Sequence, residues 1–435
     1  MKRNLPYNLL LVFLILFTGC KQKGKETISS VTEEDVYQPA SPKYTAKYDK
    51  TNLTEKIDVE SAISTSSPVL LSEVASTIEY YQVGDDKYPI TDVVAVEGGF
   101  IVLNQPKLYL YRQGKKRKRV GLKTEYNDWK DYISGKNLFY DKATTKLYGQ
   151  TKKINPETGY ANWYIGELPP LDSVLARRYY LYPDSLLTRH LLTDYAECFT
   201  PEMYYRRFNY PGSSFTQGVT AFNLKNDTLC QFHFGIDSLG VVPIRSYYSF
   251  TCYNNFYLYE NKPTFVVNFC DTVYRLQDHQ TIFPAYYVHL GRYRLPASKA
   301  IRSSGLENKA WINGFIENPK GVFLTIHKEG THRQSGWLEK EKNSKEFPSE
   351  DYQMVFLKKS RQTKVLPLKS KGLTNDLDEG LPFWPDSQVD EYMYMIRPAS
   401  ELKKDIKLTG SPKQKALKNF LRNLPDNQNV MIVVK

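Results

Sequence analysis

The chain has 435 residues, a formal net charge of +12 and 14% aromatic residues, among them 34 tyrosines. This length suffices for one large repeat-built domain or for two ordinary domains, and the aromatic content favours β-strands. The basic charge suggests anionic surfaces such as lipid or glycan. No nucleic-acid-binding motif is visible, so nucleic acid is excluded as an expected partner.

Residues 1–19 have the features of a lipoprotein signal peptide. Lys2 and Arg3 form a positive start, and Leu9–Phe17 is an unbroken apolar run of nine residues. That run is shorter than the about 20 residues that span a bilayer. Leu16–Cys20 then resembles the bacterial lipobox, although its phenylalanine departs from the commonest pattern. The resemblance implies that Cys20 is acylated and anchors the protein in a membrane. An ordinary cleaved signal with an incidental cysteine is the alternative.

Residues 20–67 are predicted to be a flexible tether. The segment is rich in Ser, Thr, Lys and Glu and has little periodic apolar pattern. An acidic cluster directly after the lipobox cysteine resembles a surface-export tag, but here Cys20 is followed by Lys-Gln-Lys-Gly-Lys. The sequence therefore favours the periplasmic side of the outer membrane over the cell surface.

Residues 68–435 consist of short β-rich runs separated by Gly, Asn, Pro and Asp. Two glycines, Gly98 and Gly99, stand between β runs and supply the positive φ angles of a tight hairpin. Six segments share an aromatic and aliphatic strand after a turn residue: Gly99–Leu103, Asn137–Tyr140, Gly218–Phe222, Asn255–Tyr259, Gly321–Leu324 and Glu391–Ile396. Six such units at uneven spacing predict an all-β fold, a six-bladed β-propeller. A pair of β-sandwiches is the alternative.

Several motifs resemble a family of bacterial six-bladed β-propeller lipoproteins, in which a DTVY strand precedes a P-x-Y…G-x-Y-x-L-P strand and loop. The matching segments are Asp271–Tyr274, Pro284–Val288, Leu290–Pro296, Val69–Ala75 and Asn375–Gly380, the last followed by Phe383-Trp384-Pro385. Glu379 stands where the family commonly has glycine. The resemblance implies the propeller fold for residues 68–435. Since the role of this family is largely uncharacterised, it implies no activity.

The end of the chain predicts how the ring closes. Ser411 and Pro412 are a helix N-cap and first-turn residue, and apolar residues recur at helical spacing from Ala416 to Leu424. A short C-terminal helix is therefore expected. The apolar run Val430–Val434 that follows is predicted to be a strand, paired in one blade with a strand from about residues 69–83.

No catalytic, metal or cofactor site is predicted from local motifs. The cysteines left after lipidation are Cys198, Cys230, Cys252 and Cys270. No two of them form a C-x-x-C pair, and the sequence allows either buried free thiols or disulfides. The sequence also lacks the H-E-x-x-H and G-x-S-x-G motifs. A non-enzymatic monomer is the favoured interpretation.

Three residues near the end of the body are candidate ligand-binding residues: Asp376, Asp378 and Trp384. The carboxylates begin like a calcium loop, but the twelfth position is Ser387, where a bidentate Glu is needed. Trp384 offers a flat surface for a sugar or a peptide. The alternatives are an Asx-rich turn for the two acids and a blade-packing role for the tryptophan.

The densest charge run is a candidate contact with an anionic membrane or polysaccharide. It comprises Lys115, Lys116, Arg117, Lys118 and Arg119. The alternative is that these charges protect an outer edge strand against pairing with other chains.

The leading hypothesis is a lipid-anchored, non-enzymatic propeller of the cell envelope that binds a protein partner or a glycan at one mouth of the ring. The alternative is a glycan-processing hydrolase or lyase in the central pocket, whose two acids, about 5–10 Å apart, converge only in three dimensions. A purely structural envelope protein is a third possibility.

Overall fold

The computed structural model describes residues 41–435 except 52–53, 86–89, 105–106, 113–117, 122–137, 156, 171–187, 189, 193–194, 210–215, 235–255, 268, 297–305, 331–348 and 408. Before the repeating body come β1 (Lys47–Tyr48), β2 (Glu55–Asp58), α1 (Val59–Ala62) and β3 (Ile78–Asp85). The remaining elements form six blades, and β3 is the fourth strand of the sixth.

Each of the first three blades contributes four strands in chain order. Blade one contains β4 (Ile90–Val96), β5 (Gly99–Asn104), β6 (Lys107–Arg112) and β7 (Lys118–Gly121). Blade two contains β8 (Leu138–Asp141), β9 (Lys146–Ile154), β10 (Ala161–Glu167) and β11 (His190–Leu192). Blade three contains β12 (Cys198–Phe199), β13 (Met203–Asn209), β14 (Thr216–Asn223) and β15 (Thr228–His233).

The other three blades continue this pattern until the chain returns to its start. Blade four contains β16 (Phe256–Tyr259), β17 (Lys262–Phe265), β18 (Thr272–Leu276) and β19 (Thr281–His289). Blade five contains β20 (Ala310–Glu317), β21 (Gly321–Lys328), β22 (Glu350–Leu357) and β23 (Gln362–Val365). Blade six contains β24 (Ser387–Val389), β25 (Tyr392–Pro398) and β26 (Gln428–Val434), with α2 (Ala399–Asp405) and α3 (Lys415–Arg422) inserted before β26.

The six sheets confirm the predicted all-β, six-bladed propeller with a short C-terminal helix. Within each blade, neighbouring strands pair antiparallel in the order in which they leave the ring axis. The six segments singled out in the sequence fall one in each blade, on β5, β8, β14, β16, β21 and β25. They occupy different strand positions within their blades, which explains their uneven spacing.

Ring closure is confirmed. In blade six, β26 pairs with β25 on one side and with β3 on the other, placing Ile432 opposite Tyr80. Strands from both ends of the propeller thus share one sheet. Helix α3 buries Leu417 and Leu421 against this blade, whereas Ala416 is exposed.

The prediction that residues 20–67 form a tether throughout is wrong for its described C-terminal part. Strands β1 and β2 pair parallel to β19 and extend blade four at its outer edge. Ile57 and Val59 are fully buried there. Burying one such side chain stabilises by about 1.5–3 kcal/mol and, together with the strand pairing, holds this segment against blade four. The signal segment and Cys20 lie outside the described residues.

The core is divided into clusters that fill the spaces between neighbouring blades. Strand β21 illustrates why: Val322, Phe323 and Leu324 are consecutive and all buried, so both faces of the sheet are covered. The cysteines in the described part of the chain, Cys198, Cys230 and Cys270, are buried and form no disulfide with one another; Cys252 lies outside it. None of the helices in that part has the length and apolarity needed to cross a bilayer.

Candidate functional site

The innermost strands of five blades surround a cavity on the ring axis. Its volume is about 80 Å³, and its walls come from β4, β8, β12, β16 and β24. One water needs about 10–15 Å³ of such space, so the cavity admits several waters or part of a small ligand. Asn261 and Asp390, in the turns that follow β16 and β24, also line it. The cavity therefore reaches the end of the ring where these turns lie, which we call the channel mouth.

Three carboxylates from different blades line the cavity: Asp92, Glu197 and Asp390. Asp92 is buried and accepts hydrogen bonds from the backbone N–H groups of Val93 (2.9 Å) and Leu138 (2.8 Å), which joins blade one to blade two. Such bonds to backbone donors hold a carboxylate in one orientation.

The other two carboxylates form ion pairs with cations that do not line the cavity. Glu197 accepts from Arg207 Nε at 2.7 Å, and Asp390 Oδ2 lies 3.0 Å from Lys142 Nζ. Lysine and arginine are absent from the cavity lining as far as the described residues define it. A group entering the cavity therefore meets acceptor oxygens with partly compensated charge.

Gln388 lines this cavity, but its side-chain nitrogen is not exposed to it. The residue is only 5% exposed, and its Oε1 accepts from the backbone N–H of Glu317. That bond distinguishes the amide oxygen from the nitrogen. Gln388 Nε2 has no hydrogen-bond partner among the described residues. An unsatisfied buried donor costs about 1–3 kcal/mol of stability.

The cavity wall is held by a buried ionic cluster around Glu317, at the end of β20. Glu317 is 0% exposed and pairs with Arg275 and with Lys358, whose Nζ lies 2.7 Å from Glu317 Oε1. The hydroxyls of Tyr257 and Tyr286 donate to the same carboxylate. Since Tyr257 lines the cavity, this cluster fixes the wall on both the blade-four and the blade-six side.

The pKa values in this cluster follow from burial. Burial and the charge of Glu317 together raise the pKa of Tyr257 and Tyr286 well above the ordinary value, so both hydroxyls stay protonated donors. Burial lowers the pKa of Lys358, although Glu317 opposes this effect. The arrangement favours a rigid hydrogen-bonding wall, because its titratable groups already have internal partners.

The structure places Asp376 and Asp378 in a loop before β24, and neither lines the cavity. Asp376 Oδ1 accepts from Ser72 N at 3.0 Å. Asp378 is buried; its Oδ2 accepts from Tyr80 OH at 2.8 Å and its Oδ1 from Asn375 Nδ2 at 2.8 Å. These bonds tie the loop to the segment around β3. A ligand-binding role for the two acids stays a prediction.

Trp384 also lies away from the cavity. It packs against the core of the closing blade, with its ring 5.7 Å from that of Phe323 in an edge-on arrangement. Its role in ligand binding likewise stays a prediction. Nearby, Glu379 has φ +57°, a left-handed conformation that glycine adopts at no steric cost. This conformation explains why the resembling family commonly has glycine at that position.

The basic run is only partly described. Lys118 and Arg119 begin β7, the outermost strand of blade one, while Lys115, Lys116 and Arg117 lie outside the described residues. Contact with an anionic surface stays a prediction. Among the described residues, no group of three or more His, Cys, Asp or Glu side chains is arranged to hold a metal ion.

The sequence patterns did not predict the polar residues that line the cavity. Asp92, Glu197, Gln388 and Asp390 come from three different blades and meet only because their strands are innermost. The one local signal is a polar residue within or beside an apolar strand, as in Asp92 before Val93. Polar residues occur on outer strands too, so that signal alone does not locate a channel.

A family model described as a domain of unknown function, DUF4933, matches residues 39–408. The chain belongs to the DUF4933 family. Together with the six blades, this membership confirms the predicted likeness to a bacterial six-bladed propeller family whose role is unknown. The family match begins upstream of β1, so the DUF4933 region includes residues 39–67 of the segment that was predicted to be a tether.

Two solved structures are similar to this DUF4933 chain. One is a "putative exported protein" from Bacteroides fragilis, with 13% identity, a TM-score of 0.48, and coverage of 88% of this chain and 100% of that chain. The other is a protein of unknown function from Bacteroides thetaiotaomicron, with 9% identity, a TM-score of 0.34, and coverage of 85% and 75% respectively. The comparison with curated proteins gives no match.

Proposed function

We propose that this protein is a non-enzymatic binding protein of the cell envelope, which holds a glycan or a protein partner at the channel mouth. The observation that supports this proposal is a cavity of about 80 Å³ on the ring axis, lined by aromatic rings and by carboxylates from three blades. Ligand sites are usually concave and combine apolar side chains with a few converging polar groups.

The channel proposal is tested by capture of partners from native envelopes, combined with a glycan array. We compare the wild-type protein with Asp390→Asn, which changes the mouth, and with Tyr160→Ala. Tyr160 is 77% exposed, lies in a hairpin turn of blade two and does not line the cavity. Binding that Asp390→Asn weakens and Tyr160→Ala leaves unchanged supports the proposal. Binding lost only in Tyr160→Ala, or the absence of any ligand, contradicts it.

The proposal includes a lipid anchor at Cys20 and a location at the outer membrane, facing the periplasm. Its support is the short apolar run before the lipobox-like segment that ends at Cys20. We expect Cys20→Ala to move the protein from the membrane fraction to the soluble fraction and to abolish incorporation of radiolabelled palmitate. Equal membrane association of both forms would remove the anchor from the proposal.

A second candidate, a glycan-processing hydrolase or lyase, is favoured by one observation: three carboxylates line one cavity. The internal partners of each carboxylate argue against an enzyme, since a general acid or base must exchange its proton with the substrate. Incubation with every glycan that binds, followed by mass spectrometry of the products, separates the two candidates. Intact glycans support binding alone, and shortened glycans support the enzyme.

A further inference from the structure

The segment between β25 and β26 forms a basic surface at the end of the ring opposite the channel mouth. Strand β24 ends at the mouth and β25 runs antiparallel to it, so α2, which follows Pro398, lies at the far end. The segment, residues 399–427, has seven lysines and arginines against three acidic residues. None of its residues lines the cavity, so this surface is separate from the proposed ligand site.

Each acidic residue of this segment already has a cation as its partner. The pairs, with N–O distances of 2.6, 2.6 and 4.0 Å, are Asp405 with Lys371, Asp426 with Lys403, and Glu401 with Arg397. Other cations of the segment are exposed and form no ion pair with the described residues: Lys404, Lys407, Lys415, Lys418 and Arg422. The acidic residues of the segment therefore do not compensate the charge of these cations.

Two acidic residues from the loop before β24 also meet the segment. The backbone carbonyl of Asp376 accepts from Lys413 Nζ at 2.8 Å. Glu379 accepts from the hydroxyls of Thr409 and Ser411, at 3.2 and 2.7 Å. Neither carboxylate forms an ion pair with the cations that the segment leaves uncompensated.

Helix α3 holds three of these cations on one face. Its Leu417 and Leu421 are buried in the core of the closing blade, which fixes the orientation of the helix. At about 100° per residue, Lys415, Lys418 and Arg422 fall within an arc of about 60° that excludes both leucines. They extend over about 10 Å along the helix axis, and α3 contains no acidic residue. We call these three side chains the basic helix face.

An exposed leucine lies at the same end of the ring. Leu368 is 51% exposed and is followed in the chain by the exposed Lys369 and Lys371. Its turn precedes β24, which starts at the far end, and Lys371 joins this turn to α2 through Asp405. An apolar side chain beside lysines suits the boundary of a bilayer, where the leucine meets acyl chains and the ammonium groups stay among the headgroups.

We propose that the basic helix face and Leu368 form a docking surface for an anionic lipid bilayer. The cations contact lipid phosphates, and Leu368 enters the boundary between headgroups and acyl chains. The exposed leucine favours a bilayer over a soluble acidic polysaccharide, which offers charge but no apolar layer. The family match ends at residue 408, so α3 lies outside it and this surface does not follow from family membership.

Docking at this end has a consequence for the other end of the ring. The channel mouth lies at the opposite end of the inner strands, so it would point away from the bilayer and stay open to a partner. This inference goes beyond the proposed function and does not depend on what the mouth binds. Loss of bilayer binding and loss of a ligand at the mouth are measured separately.

Bilayer docking is tested with the full chain that follows the signal segment, carrying Cys20→Ala so that no acyl chain contributes. Sedimentation with vesicles measures the partition of the protein onto equal parts of phosphatidylglycerol and phosphatidylcholine, and onto phosphatidylcholine alone. We expect binding to the anionic vesicles only, and weaker binding as the salt concentration rises. Equal binding to both kinds of vesicle, or binding to neither, overturns the inference.

The basic helix face is removed by three substitutions made together: Lys415→Gln, Lys418→Gln and Arg422→Gln. Each cation close to an anionic bilayer strengthens binding, so we expect the partition coefficient to fall on the order of 100-fold. The matched control removes the same charge from the rim of blades three and four, through Lys47→Gln, Lys50→Gln and Lys225→Gln. Those lysines are exposed and form no ion pair with the described residues. Equal losses in the two variants would mean that net charge drives binding, and the assigned surface would be wrong.

Leu368→Ser distinguishes a bilayer from a soluble polyanion. We expect this variant to bind anionic vesicles at least three-fold more weakly, because the leucine no longer enters the apolar layer. Its elution by salt from immobilised polygalacturonate should match that of the wild type. Unchanged vesicle binding, together with retention on polygalacturonate that depends on the basic helix face, would assign the surface to an acidic glycan and overturn the bilayer inference.

Discussion

Glu317 and Asp378 are both buried carboxylates, but the protein satisfies them in different ways. Glu317, 0% exposed, lies between the cations Arg275 and Lys358 and accepts two tyrosine hydroxyls. Asp378, 8% exposed, forms no ion pair with the described residues. It accepts hydrogen bonds from the hydroxyl of Tyr80, from an asparagine amide and from a backbone N–H. One carboxylate is compensated by charge and the other by dipoles.

The difference corresponds to what each carboxylate connects. Glu317 ends an inner strand of blade five and reaches Tyr257 of blade four and Gln388 of blade six, so it holds three blades around the channel. Asp378 lies in a loop and reaches Tyr80 of β3, the strand that closes the ring. We infer that the ionic cluster keeps the channel wall rigid, whereas the hydrogen-bonded loop supports ring closure.

The largest effect is expected from Glu317→Gln. The glutamine keeps the shape and one acceptor oxygen, but the buried Arg275 and the partly buried Lys358 then lose their shared anion. Removing one partner of a buried ion pair typically costs about 3–5 kcal/mol. We expect a loss of that size in the free energy of unfolding, measured by urea denaturation with intrinsic fluorescence.

The matched control for this variant is Glu391→Gln. Glu391 pairs with Lys435, and both side chains are nearly half exposed. Exposed ion pairs contribute little, so its denaturation midpoint is expected to stay close to that of the wild type. Similar losses in the two variants would show that the buried ion pairs of Glu317 stabilise the protein no more than an exposed ion pair does.

The second prediction separates the two cations. Burial lowers the pKa of Lys358 below its ordinary value in spite of Glu317. Burial acts in the same direction on Arg275, but there Glu317 and the surrounding tyrosines overcome it and raise the pKa. A cation whose pKa is lowered on folding loses more from desolvation than it gains from its partners, so an apolar side chain of similar length in its place costs little.

We therefore expect Arg275→Met to lower the free energy of unfolding by about 3 kcal/mol and Lys358→Met to change it by less than about 1 kcal/mol. Both variants are compared in the same urea series at pH 7. Equal losses would mean that the two cations share the charge of Glu317 equally, and the proposed difference between them would be wrong.

The sequence predicted the fold because each blade carries one strong local signal. Gly321–Leu324 and Asn255–Tyr259 are apolar runs bounded by turn residues, and Val430–Val434 is an unmistakable closing strand. Burial on both faces of every blade requires such runs, so counting them counts the blades. The segment around Ile57 was missed because its burial depends on contact with the outer edge of blade four. No local sequence pattern predicts that contact.

The channel site escaped prediction for a physical reason. Asp376 and Asp378 attract attention because they are neighbours in the sequence, but neighbouring acids in a loop commonly form turns. Asp92, Gln388 and Glu317 are isolated polar residues in or at the end of apolar strands, and their meeting depends on ring closure. Spatial convergence of single residues from distant blades has no signature in one sequence.

The third prediction concerns Asp378→Asn. The asparagine keeps the oxygen that accepts from Asn375 and Gly380 but presents an NH₂ group to Tyr80. Because one hydrogen bond to the carboxylate is lost while Asn375 and Gly380 keep theirs, we expect a loss of about 1.5–3 kcal/mol in the free energy of unfolding. A loss as large as that of Glu317→Gln would show that the dipole-compensated carboxylate matters as much as the ionic one.

The smallest effect is a pH dependence at Tyr80. Burial, followed by the nearby charge of Asp378, raises the pKa of Tyr80 above its ordinary value of 10.0. The folded protein therefore keeps this proton above pH 10 while the unfolded chain loses it. Since the unfolded state then binds fewer protons, the contribution of Tyr80 to stability is complete below pH 10 and declines as the pH rises further.

Tyr80→Phe removes both the hydrogen bond and this pH dependence. We expect the variant to be less stable than the wild type by about 1 kcal/mol at pH 8. The gap closes between pH 10 and 11, because the wild type loses up to about 1.4 kcal/mol per pH unit from this one group. Urea denaturation at half-unit pH steps measures it, with the exposed Tyr160→Phe as the control. A gap that stays constant up to pH 11 would mean that folding does not raise the pKa of Tyr80, and the pH dependence assigned to its burial beside Asp378 would be wrong.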